Sequence, residues 1–520
     1  MPRGEPSARG ELPLAINTLR LGILINIAAR LFSALLMLAF VPIFVRLLGT
    51  EAYGLIVLAT AGISILGNVD LGLSITLNRE VAAIGTADAA HEGLASLART
   101  LEILYWAGAC VVSVAGFAFA PAITLHWLNL GSMSPASVIR ALRLMAPALA
   151  LQLPVTLYSS VLLGQGRQAA LSIIASITAS TRTAGAAILL LFHPSIEMYF
   201  AAQLATTAAQ AIFMQHGFRK SFPAAPAALK AGWHEFKRVW RFSAGVAIIS
   251  ATGVLMSQMD KVLISWLLPL RDVGYYGIGW ALTGGLRILT TPVFNALFPR
   301  LTKAAAADHK TDIERLYHGA SQLMSVLIWP PTCLLLLFSQ PILYLWTRDA
   351  ELARISAPAL GLLAIGSALN GVMLMPFALQ LAHGWTRLTI NIYVGSSVLM
   401  FPGLYLATSW FGLTGAAAIW PILNLGYMLV GIKLMHRRLL PRDMWRWYLR
   451  DCAAPFASAL MVCVLLMEWR PDNWSWKGQI AWFALSYVLA SLASVLSAPM
   501  IRSALHTFLL RLLKTRAAAG

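Results

Sequence analysis

The sequence predicts an all-α integral membrane protein of about fourteen transmembrane helices, in two six-helix lobes with two further helices behind them. Three observations carry this. Of 520 residues, 58% are hydrophobic and 12% charged, where a soluble domain has about 25% charged. The apolar residues recur in long runs and raise the mean hydropathy to +0.72. Lys and Arg segregate to alternate connections between those runs.

Runs such as 21–48, 54–77, 100–125 and 245–268 exceed the roughly 20 helical residues that cross a bilayer core. Lipid offers no partner to a backbone amide, so each must be a helix. None alternates apolar with polar residues as a barrel strand does. The expected spans are 21–47, 54–78, 100–124, 139–163, 168–192, 196–216, 242–268, 273–299, 319–346, 357–383, 388–410, 413–435, 451–468 and 478–499. The first run is too long for a cleaved secretory signal and another follows at once. Residues 1–20 read as a cytoplasmic lead.

With the N-terminus in the cytoplasm, 27 of the 39 Lys and Arg fall in inner segments and five in outer loops. That asymmetry orients the chain, with both ends inside, and accounts for the net charge of +18 without nucleic acid. The inner connection 217–241 holds six basic residues, Pro223 and Pro226. It reads as the linker between an N-lobe over 21–216 and a C-lobe over 242–435. A basic loop and two spans follow over 436–499, then an amphipathic tail over 500–520. Trp445, Trp447 and Tyr448 in that loop read as interface anchors. The lobes look related. Leu47-Leu48-Gly49-Thr50-Glu51-Ala52-Tyr53-Gly54 joins spans 1 and 2, and Leu267 to Gly277 joins spans 7 and 8. Parallel six-helix repeats are a recurrent transporter plan, with substrate held between halves.

Enzyme motifs are absent: no P-loop, no dinucleotide fingerprint, no paired metal-ligand spacing among ten His, and no long outer loop to carry catalytic groups. The four cysteines read as small buried hydrophobes. What remains is charge within the spans, which is costly in lipid and marks a cavity or a partner. Arg30, Asp70, Arg182, Asp260, Lys261 and Arg287 qualify. Arg30 shares a helix face with Asn26 and Ser33. Arg30 and Asp70 each lie nine residues from an inner end, about 13 Å up, and can pair. Arg182 and Arg287 lie near mid-span among Ser and Thr with no acidic neighbour in sequence, which suits a wet cavity or an anionic ligand. The Arg fork matches phosphate. Asp260 and Lys261, adjacent in span 7, point to different faces and are expected to have separate partners. Arg46, Arg140 and Arg143 lie at outer helix ends and are expected to snorkel to water.

Val41-Pro42-Ile43-Phe44-Val45-Arg46-Leu47-Leu48-Gly49-Thr50-Glu51-Ala52-Tyr53-Gly54, then Val69-Asp70-Leu71-Gly72-Leu73 and Asn78-Arg79-Glu80-Val81-Ala82, resemble the opening of Wzx-type polysaccharide flippases. The turn at Gly274–Gly277 with Phe298-Pro299-Arg300-Leu301 resembles the start of their second lobe. The family shares a superfamily with multidrug (MATE) exporters and the lipid II flippase. The resemblance implies two lobes around a central cavity that is cationic toward the substrate. It also implies a substrate of oligosaccharide on undecaprenyl diphosphate, moved from inner to outer leaflet of a bacterial cytoplasmic membrane for O-antigen, capsule or exopolysaccharide. On that reading Arg30, Asp70, Arg182, Lys261 and Arg287 bind substrate, and Asp70 and Asp260 serve gating or ion coupling, assigned by chemistry and depth. No cofactor is expected; a proton or sodium gradient or the membrane potential would drive the cycle. Expected partners are the lipid-linked substrate, the bilayer, and glycosyltransferases and a polymerase of the same pathway. The alternatives are a lipid II or multidrug exporter of the superfamily, or a membrane-embedded polymerase or ligase.

Overall fold

The computed structural model describes residues 32–33, 35–68, 72–83, 88–222, 253, 257–469 and 475–517. Among them every regular element is a helix, and one isolated bridge joins Asn129 to Pro269. Nine helical segments of the described residues are long and apolar enough to cross a membrane. Their outward faces carry apolar side chains such as Val111, Val114, Phe117, Leu191 and Phe192, as a lipid-facing surface requires. Cys110 lies on such an exposed face, whereas Cys333, Cys452 and Cys463 are buried. The expectation of a buried cysteine therefore fails at Cys110, where lipid takes the place of protein.

The chain forms two compact units, residues 1–274 and 275–520. The first holds α1 (Leu35–Leu48), α2 (Thr50–Asn68), α3 (Leu73–Ala83), α4 (Asp88–Ala122), α5 (Pro135–Ala150), α6 (Gln152–Gly164), α7 (Gln168–Phe192), α8 (Ile196–Ser221), α9 (residues 257–267) and the first residues of α10 (Leu270–Ala306). Helix α4 packs on α5 and α6, α8 on α5 and α7, and α3 on α6. Leu73, Leu77, Leu97, Leu101, Leu157, Tyr158 and Phe218 form a core here. The sequence reading divides the lobes at 217–241, while the compact unit runs on to Gly274. The bonds of α9 explain this: Gln258 donates to Ser64 at 3.3 Å, and Trp127 donates to Ser265 at 3.0 Å.

The second unit holds the rest of α10, α11 (Lys310–Leu337), α12 (Ser339–Thr347), α13 (Ala350–Val372), α14 (Leu374–Ala382), α15 (Thr386–Gly426), α16 (Ile432–Leu439), α17 (Met444–Arg446), α18 (Ala454–Met467), α19 (Trp476–Ser497) and α20 (Pro499–Ala517). Helix α11 is central and packs on α13, α18 and α19. Trp329, Phe338, Trp447 and Trp482 anchor the core.

Three expected spans are broken helices, and proline sets each break. Helices α5, α11 and α13 end at Ala150, Leu337 and Val372, each four residues before a proline: Pro154, Pro341 and Pro376. A proline has no N–H to give the carbonyl four residues back, and its ring crowds that carbonyl. Helix α15 contains a different interruption. Gly412 takes φ 58° and ψ −138°, a region open in practice to glycine alone. The halves either side then run back along each other. A Cβ on Gly415 would stand 1.9 Å from the Ala407 carbonyl oxygen, and one on Gly403 3.8 Å from Ile419. This matches the expected change of span between 410 and 413.

Candidate functional site

The structure describes four of the six expected charges, Arg182, Asp260, Lys261 and Arg287, and separates their circumstances. Arg30 and Asp70 lie outside the described residues. The polar face expected around Arg30 continues at Ser33, which donates to Ser176 of α7 at 3.3 Å.

Arg182 sits well inside α7. Its Nη2 donates to Gln210 Oε1 of α8 at 3.2 Å, while its buried Nε has no hydrogen-bond partner. An unmet guanidinium N–H away from bulk water is an expensive group to keep without a ligand or water. Gln203, seven residues before Gln210 and on the same helix face, is hydrogen-bonded to Tyr199. Gln203, Tyr199, Thr207 and Thr60 line a cavity of about 30 Å³, room for a water molecule. The glutamines were not anticipated from the sequence, although their spacing of seven residues was legible there.

Lys261 is held by its neighbour in sequence. Its Nζ reaches Asp260 Oδ1 at 3.0 Å and Oδ2 at 3.2 Å, and the Ser257 carbonyl at 3.5 Å. The two residues leave the helix about 100° apart, but the four-carbon lysine arm folds back around it to its neighbour. Both side chains are nearly buried. They form an ion pair with each other.

Arg287 is the contrasting case. It lies near the middle of α10, and its side chain is exposed. Its carbonyl accepts from Thr291 at 2.8 Å, yet among the described residues its guanidinium has no hydrogen-bonding or ion-pair partner. Gly284 and Gly285, one turn before it, face open space, while Thr283 and Thr290 are buried. An exposed, unpaired arginine at mid-span has to look into water.

Two buried polar networks were also missed. Glu102 is almost fully buried and accepts from Tyr158 at 3.2 Å and Gln215 at 3.0 Å, with Arg99 in close contact and Arg219 at 3.5 Å. In the second unit, His318 and Asp451 are wholly buried and in direct contact. Gln322 donates to Asp451 at 2.8 Å and accepts from the Met500 amide at 2.9 Å. Trp447 is buried here too and donates to Ser321 at 3.1 Å, so it is a core residue and not an interface anchor. In the first unit, Arg140 pairs with Glu197 at 2.9 Å, and Arg143 lies over the Phe117 ring at 4.5 Å. Arg140 stays exposed while it pairs, as expected of an arginine that reaches water.

The family model for polysaccharide biosynthesis proteins matches residues 19–305, more than half of the chain. The chain belongs to the polysaccharide biosynthesis protein family. The MatE family model matches residues 246–406 of the chain. A candidate O-antigen transporter of Shigella flexneri is 23% identical to it over 381 residues, which is 72% of this chain and 88% of that one. Among solved structures, the lipid II flippase MurJ in an inward closed conformation aligns with a TM-score of 0.68 at 15% identity. It covers 90% of this chain and 98% of its own. An inward-facing MATE multidrug resistance transporter of the MOP superfamily aligns at 0.61 and 14%, covering 80% and 96%. This family member is a Wzx-type flippase, a multi-pass bacterial membrane transporter and not an enzyme.

Proposed function

We propose that this flippase moves an oligosaccharide carried on undecaprenyl diphosphate from the inner to the outer leaflet of the cytoplasmic membrane by alternating access. The observation that carries this is the guanidinium of Arg287 near the middle of α10, exposed and without a partner among the described residues. A cation without a counter-charge among the described residues suits an anionic ligand. A diphosphate presents the oxygens that an arginine fork grips with two parallel hydrogen bonds. Arg182, with its unmet Nε, offers a second donor of the same kind in the first unit. The O-antigen assignment of the Shigella relative agrees with a glycan cargo. Arg30, Asp70 and Lys261 complete the proposed set, with Asp260 holding Lys261 in place. The basic inner loops put both termini in the cytoplasm, and an ion gradient or the membrane potential drives the cycle. Glycosyltransferases and a polymerase supply and consume the cargo.

The test uses cells whose surface polysaccharide depends on this chain. Arg287→Ala is expected to abolish surface glycan with normal protein in the membrane. Arg287→Lys keeps the charge and loses the fork, so it retains a fraction of export. Normal surface glycan in the Arg287→Ala cells contradicts the assignment.

A further inference from the structure

Arg287 belongs to a longer stripe of α10. Trp280, Gly284, Arg287, Thr291 and Asn295 recur at spacings of four, three, four and four residues, which is one face of a helix. Arg287, Thr291 and Asn295 are exposed, Trp280 and Gly284 are half-buried, and a Cβ on Gly284 would meet nothing. A face that leaves Arg, Thr and Asn open has to look into water and not into lipid.

Trp280 ends this stripe against Trp420 of α15. Their ring centroids are 5.5 Å apart and the planes meet at 56°, so neither indole covers the other face to face. Both rings are half-buried, and the second unit holds them in place. A Cβ on Gly366 of α13 would stand 2.3 Å from Trp420 Cδ1, so the indole lies directly on that backbone. Trp420 Nε1 donates to Ser367 at 3.4 Å, and the Trp420 carbonyl accepts from Asn424 at 2.8 Å. Asn424 Oδ1 in turn accepts from Asn370 Nδ2 at 2.9 Å, while Asn370 Oδ1 has no hydrogen-bond partner among the described residues.

A fixed pair of indoles beside an amide with a spare acceptor suits a sugar ring. The C–H face of the sugar lies on the electron-rich ring face, and its hydroxyls meet a side chain that both donates and accepts. Indole faces also attract cations, but Arg287 on the same stripe repels them. Trp280 stands seven residues from Arg287, about 10 Å along the axis. That is far enough to meet a sugar while the arginine meets phosphate.

We propose that Trp280 and Trp420, with Asn370 beside them, form a sugar-binding subsite that receives a residue of the lipid-linked glycan while Arg287 holds its diphosphate. The subsite rests on the flippase reading and adds to it a means of recognising the saccharide.

The test measures binding by the purified full-length protein in nanodiscs. One probe is bare undecaprenyl diphosphate. The other is the lipid-linked oligosaccharide extracted from cells that lack this gene. Wild-type protein is expected to bind the second more tightly. Trp280→Ala and Trp420→Ala are expected to weaken that binding about tenfold and to leave the bare lipid unaffected; Arg287→Ala weakens both. Trp280→Phe keeps a ring face and most of the affinity, whereas Trp280→Leu fills space without one and behaves as Trp280→Ala. If an alanine variant fails to fold, the Phe and Leu variants decide. Affinities that stay unchanged while the unfolding midpoint drops would show that the indoles only pack helices, and would overturn the subsite. So would equal weakening toward both probes. Failure of the flippase reading looks different: the wild-type protein then binds neither lipid, and the subsite falls with it.

Discussion

At the level of single residues, partner identity separates structural charge from charge held for use. Lys261 is neutralised by Asp260 beside it, and Glu102 and Asp451 are saturated with donors. Arg287 has none of this among the described residues, and Arg182 has Gln210 alone for its guanidinium. Sequence showed which charges lie within spans, because a charge in an apolar run is conspicuous. Which were already paired was not legible: pairing depends on whether an arm can fold back along its helix, or which helix comes alongside. The contact of His318 with Asp451 joins residues 133 positions apart, beyond any local pattern. It yields a prediction about stability. Asp451→Ala leaves His318 and Gln322 without their acceptor in a dry core, and an unsatisfied buried polar group costs about 1–3 kcal/mol. Unfolding in detergent micelles should show that loss; a variant as stable as the parent would mean the network is dispensable.

At the level of elements, the spans were readable from hydropathy because lipid imposes one solution on an apolar run. Their internal breaks were readable in principle from Pro154, Pro341 and Pro376, each of which frees the carbonyl that ends α5, α11 or α13. Prolines 292, 299, 330, 331 and 358 lie inside continuous helices, so proline alone does not tell where a helix divides. Gly412 does this in another way, by a backbone conformation that a side chain resists. Gly412→Val should cost roughly 1–3 kcal/mol, visible as a lower unfolding midpoint. Gly426→Ala, in open space on the same run, should change little or stabilise slightly. Equal effects of the two substitutions would show that Gly412 is not strained.

At the level of the whole molecule, the fold class came from composition and the orientation from the distribution of Lys and Arg. The family match over residues 19–305 then fixed the kind of protein. The cargo depends on a chemical argument: arginines near mid-span, one exposed and without a partner among the described residues, suit a lipid-linked diphosphate better than a neutral or cationic solute. The direct measurement is flipping by the purified protein in liposomes. A fluorescent oligosaccharide on undecaprenyl diphosphate is placed in both leaflets, and its accessibility to an impermeant quencher is followed in time. The account predicts that the wild-type protein moves the shielded fraction into reach of the quencher, and that Arg287→Ala leaves it shielded as in protein-free vesicles. Equal rates for the wild type and Arg287→Ala, or flipping of the same glycan on a lipid without phosphate, would contradict it.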